Sequence, residues 1–328
     1  MKTKILTLGL AALALASCGN AKSDDYTIEW VTPTGAPTLA FYDQGNNENW
    51  VSASNPSEVV VPSFAANSYD FIVFDGVSGL NLMTKNAKAA NYKLARWINN
   101  LGFYVVSRTH TKEEAKTWDS SWKIDAFVQT GNCSRAFLSL AKSVWNWGDV
   151  SAQTTFETGV SQVASNVSSN GYDFYVVADP VYTTLKTKMG DKLNLIYDLQ
   201  EEWGKAHEGS SIPSAALFLN TKLYGEHTAS YDSFLKETDE RLKTLVESPL
   251  TAQTALEQFA SSNIDAVDSN GNYVKFGISE AIVSKLADLQ KSNVFGFLRK
   301  EDVKDTKAVA NTFNKTLGGS EFSDSLFL

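Results

Sequence analysis

Two hydrophobic patterns divide the 328-residue chain. Up to about residue 225, short apolar runs end in turn residues and hand over to segments whose apolar positions fall three and four apart, the period of a helix. Tyr26-Thr27-Ile28-Glu29-Trp30-Val31 alternates and is rich in strand formers; Thr32-Pro33-Thr34-Gly35-Ala36-Pro37-Thr38 breaks it, and the apolar stretch from Leu39 to Tyr42 predicts a helix. Tyr69-Asp70-Phe71-Ile72-Val73-Phe74 is ended by the loop Asp75-Gly76-Val77-Ser78-Gly79, and Leu80, Leu82 and Met83 predict the helix after it. Ile124-Asp125-Ala126-Phe127-Val128 runs through Gln129-Thr130-Gly131-Asn132-Cys133-Ser134 into Ala136-Phe137-Leu138-Ser139-Leu140-Ala141, whose apolar residues fit one helical face. Residues 172–177 form a further apolar run closed by Ala178-Asp179-Pro180, with a helix predicted through Leu185 and Met189, and residues 215–219 form another strand. Repeated strand–loop–helix units predict an α/β protein with parallel strands and helices on the sheet faces. Beyond residue 226 the pattern is helical: Tyr231, Phe234, Leu235, Leu242, Leu245 and Val246 make one stripe, and Ile278, Ile282, Leu286 and Leu289 make a second.

The first residues follow a different rule. Lys2 and Lys4 precede an apolar stretch over residues 5–16, and small residues follow it, the order of a secretory signal and too short for a membrane span. Leu15-Ala16-Ser17-Cys18 resembles the lipobox of bacterial lipoproteins, which implies removal of residues 1–17 and a diacylglyceryl-modified Cys18. Residues 18–25 then read as a flexible tether. Cys18 and Cys133 are the only cysteines, so a lipidated Cys18 leaves no disulfide partner and no thiolate metal cluster. With 43% hydrophobic and 20% charged residues the remainder reads as an ordinary globular body, long enough for its core to split into two lobes. Net charge is −8, and −10 without Lys2 and Lys4, which argues against nucleic acid or anionic lipid as a partner.

Four stretches in order resemble one family. They are residues 69–75, Tyr92-Lys93-Leu94-Ala95-Arg96-Trp97-Ile98-Asn99-Asn100-Leu101-Gly102-Phe103-Tyr104-Val105-Val106-Ser107, Tyr175-Val176-Val177-Ala178-Asp179-Pro180, and Leu199-Gln200-Glu201-Glu202-Trp203. Over residues 26–225 the chain resembles the solute-binding lipoproteins of ABC importers, in the branch that binds nitrate, sulfonates, taurine and thiamine-pyrimidine precursors. The resemblance implies a two-lobed periplasmic-binding-protein-like fold of type 2 with two interlobe crossovers. Lobe one would hold residues 26–99 and 226–328, and lobe two residues 100–225. It also implies one small polar or heteroaromatic ligand between the lobes, a permease with cytoplasmic ATPase as partner, a monomeric state, no cofactor and a lipid-anchored place on the extracytoplasmic face of the cell membrane. The same fold hosts enzymes resembling chorismate dehydratases and thiamine-pyrimidine synthases, and a surface adhesion or assembly lipoprotein is a third class.

In open parallel sheets, ligands bind beyond the strand carboxyl ends, where helix N-termini offer N–H groups. That points to Thr34, Gly35, Ala36 and Pro37 after the first strand, to Asp75, Gly76 and Ser78, to Gly131, Asn132 and Ser134, and to Asp179; the resemblance adds Asn100. Each is also an ordinary turn or cap residue. Asp75 is the departure from the family pattern: an acid there disfavours an anion and suits a cation or hydrogen-bonding heterocycle unless Arg96 or Arg135 neutralises it. Arg135 reads as an anion clamp or a solvated side chain, and Tyr42, Trp97 and Tyr182 as ring-stacking residues or packing. Catalytic signatures fail. Gly76-Val77-Ser78-Gly79-Leu80 misplaces the glycine of a nucleophile elbow, His110, His207 and His227 are isolated, and residues 268–272 lack the glycine position of a calcium loop. Cys133 reads as a buried small residue.

Overall fold

The computed structural model describes residues 26–44, 49–263, 267–268 and 271–328. The signal segment, Cys18, the tether and part of the 268–272 turn lie outside the described residues. From the amino end run β1 (Trp30–Pro33), β2 (Trp50–Ala53), α1 (Pro56–Ala66), β3 (Phe71–Asp75), α2 (Gly76–Lys85) and β4 (Tyr92–Trp97). Residues 98–102 cross to a second lobe made of β5 (Phe103–Ser107), β6 (Ile124–Phe127), α3 (Asn132–Ser143), β7 (Thr154–Glu157), α4 (Val160–Ser169), β8 (Phe174–Ala178), α5 (Val181–Met189), β9 (Asn194–Asp198) and α6 (Leu199–Ala206). Residues 207–214 return the chain to lobe one for β10 (Ala215–Asn220), α7 (Thr221–Tyr224), α8 (Thr228–Glu247), α9 (Pro249–Asn263), the hairpin β11 (Asn272–Tyr273) and β12 (Ile278–Ser279), α10 (Glu280–Val283), α11 (Leu286–Lys291) and α12 (Thr306–Thr316).

The two five-stranded sheets share one plan, β2-β1-β3-β10-β4 and β7-β6-β8-β5-β9. In each, the fourth strand runs antiparallel to both neighbours, and it is the first strand after a crossing: β10 against β3 and β4, β5 against β8 and β9. The sheets are therefore mixed, where the strand–loop–helix pattern predicts parallel ones.

Four further expectations need correction. The second crossing lies before Ala215 and not near residue 225, because β10 is hydrogen-bonded into the first sheet. All six residues of β10 are buried, as an interior strand covered on both faces requires. The segment at residues 76–79 is helix and not loop, because the Asp75 side chain caps the first turn of α2 by accepting from Ser78 N–H. The stripe from Ile278 to Leu289 breaks into β12, α10 and α11, with Ser279 capping α10 and Ser284 ending it. The expected helix at Leu39 is a 3₁₀ turn, Ala36–Phe41. By contrast α8 buries Tyr231, Phe234, Leu235, Leu242 and Leu245 as its stripe demands, and Phe234 stacks on Phe71 of β3 with ring centroids 4.3 Å apart.

Candidate functional site

The loops at the carboxyl ends of β3 and β6 meet across the lobes. Asp75 ends β3 and its Oδ1 accepts from Ser78 N–H at 2.9 Å, while Oδ2 accepts from the backbone N–H of Asn132 at 2.9 Å. One carboxylate thus caps α2 in lobe one and the first turn of α3 in lobe two, where two sets of unpaired N–H groups favour negative charge. Beside it Ser78 Oγ donates to the Thr130 carbonyl at 2.8 Å. The buried Asn132 side chain donates to the Pro213 carbonyl at 2.8 Å, tying α3 to the second crossing. Burial pushes the Asp75 carboxyl up, against the hydrogen bonds from Asn132 and Ser78 and the charge of Arg135.

Helix α12 extends the seam. Arg135 of α3 donates to Asn314 Oδ1 at 3.1 Å and lies 5.7 Å from the centroid of the Phe313 ring, which itself packs 5.0 Å from Trp203 of α6. Arg135 is thus engaged with lobe one, and burial lowers its proton affinity. Arg96 faces elsewhere, paired with Asp239 of α8 at 2.8 Å, so it does not neutralise Asp75.

The other candidates fall in different places. Gly35 takes φ 106° and donates its N–H to the Phe276 carbonyl at 2.6 Å; Thr34 abuts Gly277, and Ala36 and Pro37 are buried, so this loop is covered by lobe one's own residues 273–277. A Cβ at Gly76 would lie 2.1 Å from the Trp97 ring, so this glycine admits an indole. Gly131 closes a turn onto the Val128 carbonyl, and buried Ser134 donates to the Phe127 carbonyl within lobe two. Trp97 donates Nε1–H to the Thr306 carbonyl at 3.1 Å, Tyr42 is buried in lobe one, and the buried thiol of Cys133 is pushed well up by desolvation.

Asn100 and Asp179 lie at the crossings. Asp179 Oδ2 accepts from Tyr104 at 2.8 Å and Oδ1 from the Thr183 hydroxyl at 2.7 Å, while its N–H donates to the Gly102 carbonyl at 3.0 Å. Burial is the main cause raising its carboxyl to about 6. Asn100 N–H donates to the Gly296 carbonyl at 2.9 Å. Here a cavity of about 340 Å³ opens between both crossings, the end of β9 and residues 292–298. Tyr104, Asp198 and Ser210 in its wall carry no site role in the sequence reading. Asp198, capping the helix that opens at Leu199-Gln200-Glu201-Glu202-Trp203, was the available signal, since it stands at the carboxyl end of a strand, where ligands bind in such sheets.

Among the described residues no His, Cys, Asp or Glu group is arranged to hold a metal ion, and no helix is long and apolar enough to cross a membrane.

No family model matches the chain, and no curated protein does. Solved structures do. An ABC transporter protein from Parabacteroides distasonis is 14% identical at a TM-score of 0.59, the match covering 93% of this chain and 99% of that one. The periplasmic aliphatic sulphonate binding protein SsuA from Escherichia coli is 10% identical at 0.56, over 91% and 95%. A Candida albicans gene product described as having the generic periplasmic binding protein fold is 11% identical at 0.59, over 92% and 93%. At such identities the likeness is one of fold: the chain has the two-lobed periplasmic-binding-protein fold.

Proposed function

We propose that this chain is the extracytoplasmic solute-binding component of an ABC importer, held to the membrane by lipid on Cys18 and delivering one small polar molecule to a permease with cytoplasmic ATPases. The observation that supports it most is the seam at Asp75, Ser78 and Asn132: the helix N-termini of two lobes, each built on its own sheet, meet beside a two-stranded connection, the arrangement a closing cleft needs. In the open form the loops at residues 75–78 and 130–132, whose contacts run between the lobes, would offer the solute backbone N–H groups and short polar side chains. Three neighbours in fold carry names of sulfonate binders. A sulfonate fits this seam poorly, because Asp75 already places a carboxylate where α2 and α3 present their N–H groups. A neutral or cationic solute suits it better.

The test is a thermal-shift screen of the tether-free body against small metabolites, with mass spectrometry of whatever co-purifies. A ligand at a hundred times its Kd stabilises by about 2.7 kcal/mol. Turnover of a stabilising compound would turn the reading to an enzyme, and no stabilisation with no co-purified molecule would remove it. For the anchor, Cys18→Ala should move the protein from the detergent phase to the aqueous phase; wild type already found in the aqueous phase overturns lipidation.

A further inference from the structure

We propose that the hinge cavity is the solute pocket of the closed form and that it takes a small organic cation, a primary or secondary ammonium. The proposal rests on the solute-binding reading and adds the place and charge of the solute.

Three observations carry it. First, the cavity holds about 340 Å³ and is walled by both lobes: Tyr104, Asp198 and Gln200 on one side, Ser292, Asn293 and residues 296–298 on the other, with Asn100, Gly102 and residues 209–211 of the crossings between. That volume falls at the lower end of small-molecule sites, about 300–1,000 Å³. Second, its wall contains no Lys, Arg or His, and its one carboxylate is Asp198. Asp198 stands opposite Tyr104 across β5 and β9, and Tyr104 in turn donates to Asp179, so a second acid lies directly behind the wall. An anion placed there would meet two carboxylates with no cation in the lining. Third, Asn100 Oδ1 and Ser210 Oγ in the wall are buried without a partner. The amide oxygen can only accept and is costly until a donor reaches it, while the hydroxyl can accept or donate. Gln200 supplies nothing, since its amide is spent on the Leu101 and Ile212 carbonyls and on Ile212 N–H, all at 2.9 Å. An ammonium group supplies several N–H donors and the opposite charge at once. Because Gln200 fastens one crossing to the other, a solute filling this space ties lobe one's residues 292–298 to the end of β9 and favours the closed arrangement.

The probes are ethanolamine and putrescine, with glycerol and isethionate as uncharged and anionic controls of similar size, measured by titration calorimetry on the intact body. Wild type should bind an ammonium probe and neither control. Asp198→Asn keeps the cap of α6, for which Asn serves about as well as Asp, and should weaken binding at least tenfold. Ser211→Lys, which tethers an ammonium at the cavity mouth, should abolish it, while Asp191→Asn, the same charge change on an exposed turn, should leave it unchanged. Binding of neither ammonium probe, binding of glycerol or isethionate as tight as theirs, or full affinity in Asp198→Asn overturns the proposal. An anionic co-purified solute would overturn the cation assignment while leaving the importer reading standing. Absence of any bound molecule in the metabolite screen removes both.

Discussion

Asp75 satisfies N–H groups of two helices in two lobes with one side chain, and an amide cannot replace it in both roles. Asn has a single acceptor oxygen, so in Asp75→Asn either Ser78 N–H or Asn132 N–H faces an NH₂ group. The bond to Ser78 N–H is the local cap of its own helix, which Asn makes about as well as Asp, so the bond to lobe two is the one given up. Leaving that N–H unpaired costs about 1–3 kcal/mol. Urea denaturation should show the loss, and scattering should show a larger radius of gyration without ligand; both unchanged would mean the bond does not hold the lobes. Asp179 works through protons instead. Burial raises its carboxyl to about 6 in the folded chain against an ordinary value of 3.8, so between those values the folded state binds more protons than the unfolded one. Its protonation therefore contributes stability that is present at low pH and lost as pH rises from about 4 to about 6, each tenfold difference in proton affinity being worth about 1.4 kcal/mol. Asp125, also raised to about 6 by burial, adds in the same direction. Asp179→Asn should flatten the decline over that window without removing the share due to Asp125; an unchanged slope would mean that Asp179 does not titrate there.

At the scale of elements, legibility followed what each segment needed from its neighbours. The strands β3, β6, β8 and β10 and helix α8 were readable, because an apolar run or stripe states that it is buried. Where a strand pairs was not readable: the run at residues 215–219 looks the same whichever sheet it joins, and only its pairing with β3 and β4 moves the second crossing to residues 207–214. The start of α2 was hidden for a different reason. Asp-Gly-Val-Ser-Gly has turn composition, yet Asp75 as a cap converts it to a first helical turn. Of the candidate site, the loop addresses were legible and the occupants were not. Gly76 and Gly35 looked like openings for a ligand, but Gly76 lies against Trp97, and the Gly35 N–H donates to the Phe276 carbonyl, more than 200 residues away in sequence. Gly76→Ala sets a methyl group 2.1 Å from the Trp97 ring, and overpacking of this kind costs about 1–3 kcal/mol. The same change in a Trp97→Leu background should cost much less in denaturant titrations. Equal costs in both backgrounds would remove the indole as the reason for the glycine.

For the whole molecule, if the lobes hinge as the proposed function requires, the contacts across their seam set the balance between closed and open forms. Across that seam run the bonds Asp75–Asn132, Ser78–Thr130 and Arg135–Asn314 and the contact of Phe313 with Trp203. Typical hydrogen bonds contribute a net of about 0.5–1.5 kcal/mol each, so a sum of this size is within reach of a ligand's differential affinity for the two forms. The aromatic pair is an apolar contact of the seam, and Phe313 also carries the Arg135 guanidinium on its face. Phe313→Ala should therefore shift the ligand-free population toward the open form. Apparent affinity is the intrinsic affinity scaled by the fraction that is binding-competent, so the solute should bind more weakly in the variant although the ring is not in the wall of the hinge cavity. Two measurements separate this from simple damage. Scattering should give a larger radius of gyration than wild type without solute, and saturating solute should restore the wild-type value, because the closed form itself is intact. A fall in affinity with an unchanged ligand-free radius would instead make Phe313 a direct support of the pocket. An expanded form that solute cannot close would mean the α12 contact is part of the fold and not of a hinged equilibrium.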